Sequence, residues 1–574
     1  MDLLGSLHSR RQPAVPTDAT HELELLSQAF ALQQAGRLDE AEAAYARILA
    51  TSPDDATALI NGGALALSRG QLPVAIDRFD RVVRQRPENA MARNNLGLSL
   101  IHAGRVDDAL VHLDRAVALT PDYAQAHNNR GIALVRAGRA ADAIGAFERA
   151  VALEPSYVEA LRNLGEQSNA MGDGRRAHDA FERVLAIRPE DVTSRVGRGF
   201  AQALSGDLAG AANALEQTTH AYPEHAAAWQ TLGAVRNWNW RHDDAERAFR
   251  RAATLDKGNA DARFGIASTL LARGDYEGGW AAFERRGARP LDTPAFSQIP
   301  VWSGEDLNGT LAVYGEQGYG DVVQFARFIA SARTRVRHLV LLLDGYLEPL
   351  TPLLASLPGV DQVLTREQDV HDAAARISVL SLPYVLGVRG DFADRLRYIA
   401  PPPRKAAEWR ARMAPYGSPR IGLAWSVLAR DAHAFVTRHK SVPAIVLMPL
   451  LARADAQFFT LQPGVAGVPI AFGPLSDRIV DLRNHIGDFA DTAALIDVLD
   501  LVISADTAVA HVAGALGKPV WMLDRFNTCW RWRQGGNASP WYPTMRIFRQ
   551  ASFGDWASVK SALLAAFELW RSTL

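Results

Sequence analysis

Three short segments carry residue types that could act on a phosphorylated ligand. The first is Ser504-Ala-Asp506-Thr507-Ala508-Val-Ala-His511, directly behind the apolar run Leu501-Val-Ile. A buried strand ending at Ser504 and a helix opening at Thr507 would leave the N–H groups of Thr507, Ala508 and Val509 free. Such a helix start can hold a diphosphate, because unpaired donors and the helix dipole point at the same place. Asp506 is expected as the N-cap, and His511 lies one turn beyond Thr507 on the same face. The structural alternatives are a plain cap for Asp506 and a packed core histidine for His511. The second segment is Gly318-Tyr-Gly320-Asp321, behind Leu311-Ala-Val-Tyr314. Its glycines let the backbone turn sharply and approach a ligand, and Asp321 is placed to cap a helix starting at Val322; Glu316 and Gln317 share the loop. The third is Arg438-His-Lys440-Ser-Val-Pro443, after Ala424-Trp-Ser426. Cations there would neutralise charge building on a departing phosphate, or they belong to a solvated loop.

The elements that must position these residues are α/β. Leu311–Tyr314, Leu339–Leu343, Asp361–Leu364 and Ile377–Leu380 read as strands, with helical patterns over Val322–Ala332 and Leu347–Leu357. After Pro401-Pro-Pro403 the alternation restarts, with strands at Ile421–Trp425, Gln457–Leu461, Val498–Ser504 and Val520–Leu523. Alternating buried strands and helices indicate parallel sheets. Two such lobes, 301–400 and 419–574 with 401–418 as a linker, place a cleft at the carboxyl ends of their strands. Asp488 or Asp491 is a candidate cap for the helix running to Leu499. Trp530, Trp532, Trp541 and Tyr542 form a late aromatic loop, suited either to stacking on a ligand or to closing the core.

The first half is repetitive. Gly36, Gly70, Gly104, Gly138, Gly172, Gly206 and Gly274 lie on a lattice of 34 residues, with Trp240 in the one missing place. Proline, alanine and aromatic or leucine series keep the same step. The pattern describes pairs of short amphipathic helices that cannot bury their apolar faces alone and therefore stack. Eight units are expected over 22–287, preceded by a tail at 1–21 and followed by a Pro-bearing linker at 288–300. Asn61, Asn95, Asn129 and Asn163 repeat in phase and would form a ladder on one face. The ladder either binds the backbone of a partner protein or ties neighbouring repeats together.

The lattice, with Leu96-Gly97, Leu164-Gly165 and Leu232-Gly233 in its first helices, resembles the tetratricopeptide repeat. Asparagine ladders are similar to those in the repeat half of O-linked N-acetylglucosamine transferases. The two lobes, with Asp506-Thr507-x-x-x-His511 and Gly320-Asp321, resemble GT-B glycosyltransferases of the heptosyltransferase branch. The combination looks like the bacterial repeat-bearing transferases that modify proteins, flagellin among them. The expected fold is thus an α-solenoid followed by a two-lobed α/β GT-B fold. The resemblance implies an inverting, metal-independent transfer from a sugar nucleotide, with no further cofactor, to Ser or Thr of an acceptor protein held by the repeats. Asp321 is implied as general base, and Lys440 or Arg438 as the cation at the leaving phosphate. Donor contacts are expected at Gly318, Gly320, Ser426, Arg438, Asp506, Thr507, Ala508 and His511, and acceptor contacts at the four ladder asparagines. Many relatives read Trp-Ser-Gly and then an Asn-rich run, whereas Val427 follows Ser426 here. A lipopolysaccharide or capsule transferase, or a repeat scaffold with a decayed transferase half, are the alternatives.

Composition narrows the field from the other side. The 574 residues carry 62 Lys and Arg against 63 Asp and Glu, so no basic footprint for nucleic acid is present in the sum. The single Cys529 can form no intrachain disulfide and is read as structural. No apolar run reaches the roughly 18 residues of a membrane span, so a cytoplasmic protein is expected.

Overall fold

The computed structural model describes residues 17–286, 293–390, 392, 396–427, 440–462, 472–533 and 535–573. The chain divides into two compact units: residues 1–168 with 179–190, and residues 169–178 with 191–574.

The first unit is built of helix pairs such as Ala90–His102 with Val106–Leu119 and Ala124–Arg136 with Ala140–Leu153. The lattice glycines 36, 70, 104 and 138 sit at the turn between paired helices with φ of 70 to 75°. A Cβ in that left-handed region costs about 1–2 kcal/mol, which is why glycine recurs there. A second glycine series has a different cause. A Cβ on Gly97 would lie 2.6 Å from Leu113 Cγ, and one on Gly165 would lie 2.7 Å from Phe181 Cζ. The backbone of each first helix therefore packs directly on the in-phase Leu or Phe of the second.

The ladder asparagines have scaffold partners. Asn129 Nδ2 donates to Asn94 Oδ1 at 2.9 Å, Asn163 Nδ2 to Asn128 Oδ1 at 2.8 Å, and Asn94 Nδ2 to Asn95 Oδ1 at 3.1 Å. Asn95, Asn129 and Asn163 thus join amides one position ahead of the ladder into bonds between and within repeats. Of the two readings of the ladder, these bonds match the one in which it ties neighbouring repeats together; Asn61 is half-buried.

The second unit starts inside the repeats, with the pairs Val192–Leu204/Leu208–Ala221, Ala226–Trp238/His242–Leu255 and Ala260–Arg273/Tyr276–Phe283. The first lobe holds strands β1 (Leu307–Tyr314), β2 (Val336–Leu342), β3 (Gln362–Leu364) and β4 (Ala373–Ser378) in the order β3-β2-β1-β4. The second holds β5 (Arg420–Ala424), β6 (Gln457–Thr460), β7 (Ile479–Val480), β8 (Leu501–Ala505), β9 (Val520–Asp524) and β10 (Met545–Arg549) in the order β10-β9-β8-β5-β6-β7. All pairings are parallel. Strand order reverses at β1/β4 in one sheet and at β5/β8 in the other, and crevices open at such switch points.

Helix α1 (Tyr319–Phe325) follows β1, α2 (Pro403–Met413) precedes β5, α3 (Phe489–Asp497) precedes β8, and α4 (Ala508–Ala515) follows β8. Several expected elements differ. The segment 401–418 is not a plain linker: Pro403 at the first turn starts α2, which buries Trp409 and Met413. The helix expected over Val322–Ala332 is three short pieces, Tyr319–Phe325, Ala326–Phe328 and Ile329–Arg333. That over Leu347–Leu357 shrinks to a 3-10 turn and Thr351–Leu354, because Pro349 and Pro352 cannot donate to an i−4 carbonyl. Of the segment 288–300, residues 288–292 lie outside the described ones and Pro294–Gln298 is a short helix burying Phe296.

The last repeat shares its core with the lobes. Trp280 is 2% exposed and packs in one cluster with Trp302, Leu311 and Trp541. Its ring lies 5.9 Å from Phe325 and 5.7 Å from Trp530. Arg286 forms an ion pair with Glu316 just past β1, and Ser378 donates its hydroxyl to the same carboxylate. Glu316 is therefore a buried tie between repeat and lobe.

Candidate functional site

A cleft of about 710 Å³ opens where the two sheets present their carboxyl ends. It is lined by Gly318, Gly320 and Asp321 from the first lobe and by Ser426, Lys440, Asp506, Thr507, Ala508 and His511 from the second. The described donor-site residues expected from sequence are thus brought together, with Asp321 opposite them. Arg438 lies outside the described residues, as do Leu428 to Thr437.

Helix α4 carries the anion-binding geometry. Its N-cap is Thr507, in extended conformation and without a side-chain cap bond. The Thr507 hydroxyl is 3.1 Å from Ser504 Oγ instead. The sequence expectation that Asp506 caps the helix is corrected: its carboxylate pairs with Lys440 Nζ at 2.9 Å. With no side chain over the helix start, the N–H groups of Ala508 and Val509 remain for a ligand. Burial pushes the Asp506 carboxyl up, but Lys440, then His511, oppose it and hold it well below the usual carboxylate range. Lys440 and Asp506 side chains are 24% and 11% exposed, so the ammonium reaches the cleft from a largely desolvated pair.

His511 is 5% exposed and sits 2.9 Å from the Tyr542 hydroxyl through Nδ1. Burial pushes it down to about 4; Asp506 acts against that and Arg531 with it. The imidazole is neutral at pH 7. Its other edge meets the first lobe, where a Cβ on Gly320 would lie 2.7 Å from His511 Cδ2. Glycine at 320 is what allows the two lobes to touch there. Linkage gives a test. The folded pKa of about 4 is below the ordinary 6.5, so protons prefer the unfolded chain. The stabilisation is complete above pH 6.5 and is lost as pH falls toward 4. Between pH 7 and pH 5 it amounts to about 2 kcal/mol. Unfolding free energies from urea titration should fall by about that much between pH 7 and pH 5 in the native chain, and His511→Gln should remove most of the difference.

Asp321 is held at both oxygens. Its Oδ2 accepts the Gly318 N–H at 2.9 Å, and Oδ1 accepts from Arg531 Nη2. The helix starts at Tyr319 and not at Val322, with Gly318 as its N-cap, so Asp321 is its third residue and bonds back to the N-cap N–H while it faces the cleft. Upstream, Gln317 has φ of +61°, unusual for a side chain with a Cβ. The Tyr346 hydroxyl donates to its carbonyl. On the opposite wall Gln462 fixes the end of β5: its Oε1 accepts from the Ser426 N–H at 2.8 Å and its Nε2 donates to the Ser426 carbonyl at 2.8 Å. Asp488 caps α3, accepting from Asp491 N–H at 2.9 Å. Asp491 is tied to Lys405 at 2.7 Å and Trp409 at 3.0 Å.

Arg531 and Gln462 were not singled out by sequence reasoning, and Tyr542 was named only as part of an aromatic loop, not as a partner of His511. Arg531 stood in a segment noted only for its tryptophans, and nothing periodic marks a loop arginine. The stacking option for the late aromatic loop is set aside: Trp530, Trp532, Trp541 and Tyr542 are all buried, with Trp541 stacked on Phe392 at 3.7 Å. Among the described residues no group of three or more His, Cys, Asp or Glu is placed to hold a metal ion. Among them, too, no helix is long and apolar enough to cross a membrane.

Comparison with known proteins finds repeats up to residue 292 and a transferase segment in the second lobe. Tetratricopeptide repeat models match residues 26–77, 61–124, 124–157, 168–235 and 241–292. The model of glycosyltransferase family 9 (heptosyltransferase) matches 487–538, which spans α3, β8, α4 and β9. Protein FlbA of Caulobacter vibrioides is 33% identical over 324 residues, 51% of this chain and 52% of that protein. The chain thus spans about half the length of this curated relative. A tetratricopeptide repeat protein from Parabacteroides merdae superposes with a TM-score of 0.35 at 16% identity, covering 44% of this chain and 99% of its own. A thermophilic repeat protein of Thermus thermophilus does so with 0.28 at 25% identity, covering 32% and 99%.

Proposed function

We propose that the chain is an inverting, metal-independent glycosyltransferase that moves a sugar from a sugar nucleotide to a Ser or Thr hydroxyl of a protein docked by the repeats. One observation carries the reading. The cleft sets a carboxylate, Asp321, across from an uncapped helix start with a resident cation, Lys440. Those are the two poles that such a transfer needs.

In this account the donor diphosphate lies on the N–H groups of Ala508 and Val509 beside Lys440. The acceptor hydroxyl attacks the anomeric carbon from the Asp321 side, and Asp321 takes its proton. The bond from anomeric carbon to phosphate oxygen breaks, and the charge left on that oxygen is met by Lys440 and the α4 dipole. His511, neutral and bonded to Tyr542, shapes the wall without adding charge. The family 9 match, over the segment that holds Asp506 to His511, supports the donor half. The repeats support a protein acceptor, and flagellin is the first to test.

Donor binding separates this reading from a decayed scaffold. Titration of the full chain with ADP-, GDP-, UDP- and CMP-sugars should give one nucleotide that binds in the micromolar range. Binding by none of them, or binding that Lys440→Met leaves unchanged, would sink the assignment.

A further inference from the structure

Arg531 belongs to none of the elements that hold the donor, yet it lines the same cleft. Its side chain is 11% exposed, and all three of its nitrogens have partners. Nε donates to Gln324 Oε1 at 2.7 Å, Nη1 to Cys529 Sγ at 3.0 Å, and Nη2 to Asp321 Oδ1. The guanidinium also lies 4.4 Å from the Trp530 ring centroid. Asp321 and Gln324 are three residues apart on α1 and share a face. One guanidinium therefore grips two side chains of the first lobe from a loop of the second. A planar fork can do this; a lysine could satisfy only part of it.

The loop that carries Arg531 is itself braced by the repeats. Positions 240 and 274 of the glycine lattice lie along it at two successive turns, while position 206 meets the segment that follows β10. A Cβ on Gly206 would meet Phe553 Cδ1 at 3.4 Å, and one on Gly274 would meet Arg533 Nη2 at 2.6 Å. Trp240, which breaks the lattice and carries a φ of +62°, places its ring 6.0 Å from Phe526, with Arg549 5.5 Å from the ring centroid. Arg533 lies 4.9 Å over the Tyr276 ring of the last repeat. A tryptophan where glycine is conformationally easier is explained by this contact with the lobe.

We infer that Arg531 is the positioning residue that aims Asp321 into the cleft, and that the turns of the last two repeats, at Trp240 and Gly274, hold the Arg531 loop in place. The inference rests on the transferase reading above. It adds that the repeats, besides docking a partner, form part of the frame of the reacting carboxylate. Besides Asp321, the titratable groups that interact with Arg531 include Asp506, His511 and Tyr542 on the second lobe and Cys529 on the same loop.

The test compares the full-length native chain with Arg531→Met, Arg531→Lys and Trp240→Gly. Turnover is measured at saturating acceptor, and donor affinity by calorimetry. Arg531→Met should lower kcat about 100-fold, the order expected when a reacting group is misplaced by about an ångström. Donor Kd should stay within about twofold, and Arg531→Lys should recover roughly tenfold of the loss. Trp240→Gly, which restores the lattice residue and relaxes the backbone, should still cost about tenfold in kcat. A wild-type rate in Arg531→Met or Trp240→Gly overturns the inference. So does a loss of donor affinity matching the loss in kcat/KM, since Arg531 would then be a donor contact. If Arg531→Met fails to fold, Arg531→Lys decides alone: kcat lowered at unchanged Kd supports the inference, and an unchanged kcat overturns it. A native chain that binds no donor and transfers nothing would instead bring down the functional reading itself, and this inference with it.

Discussion

Lys440→Met should cut sugar transfer by about 10²–10³ and destabilise the second unit by about 2–3 kcal/mol at the same time. Two separate physical effects are superimposed. The first is loss of the cation at the leaving phosphate, a group that acts most strongly as charge develops on the departing oxygen. The second is that Asp506, only 11% exposed, loses the partner 2.9 Å away and must hold a carboxylate with little solvent. A fully buried pair broken on one side costs about 3–5 kcal/mol, and the residual exposure of Lys440 trims that figure. The double variant Lys440→Met with Asp506→Asn separates the effects. Its thermal midpoint should return most of the way to the native value, while its transfer rate should stay as low as that of the single variant. Recovery of activity along with stability would mean that Lys440 acts on folding alone.

Asp321→Asn should leave donor binding intact and lower turnover by about 10²–10⁴, the range for removing a general base. The amide keeps an oxygen for Gly318 N–H or for Arg531, so the loop should keep its course. The contrast with Lys440→Met is the informative part. One variant should fail in both donor affinity and rate, the other in rate alone. Calorimetry with the identified donor and single-turnover measurement on the same samples would distinguish them. An Asp321→Asn chain that turns over within about tenfold of native would place the base elsewhere.

How much of this was visible in the sequence depends on how local the cause is. The 34-residue glycine lattice was legible because each glycine answers a local demand, a left-handed turn between two helices. The Ser504 to His511 segment was legible because a buried strand followed by a helix makes its own anion site, whatever surrounds it. The identity of the cap was not. Asp506 satisfies every local rule for an N-cap, and it was drawn away by Lys440, 66 residues earlier in the chain. The same limit hid Arg531, whose partner Asp321 is 210 residues distant. The ladder asparagines show it too: their partners Asn94 and Asn128 share the 34-residue step one position ahead, and spacing alone does not say which amides meet. Helix α2 was missed for another reason. Three prolines in a row read as a break, although proline is well suited to the first turn of a helix.

The division into units also changes how the two halves relate to function. Trp280 in the core of the lobes and Trp240 against the Arg531 loop make the last repeats part of the body that holds the cleft. Truncating the chain just before β1 would therefore remove core residues, and an isolated pair of lobes is a poor surrogate for the full chain.

The central claim is that the cleft transfers a sugar to a protein hydroxyl. Intact-mass measurement of a flagellin acceptor tests it most directly, after incubation with the full-length chain and the sugar nucleotide that binds it. The account predicts added mass in whole increments of one glycosyl residue, mapped to Ser or Thr, and none with Asp321→Asn over the same time. A native chain that binds its donor yet adds no mass to that acceptor or to any protein the repeats retain, or equal addition by Asp321→Asn, would contradict it.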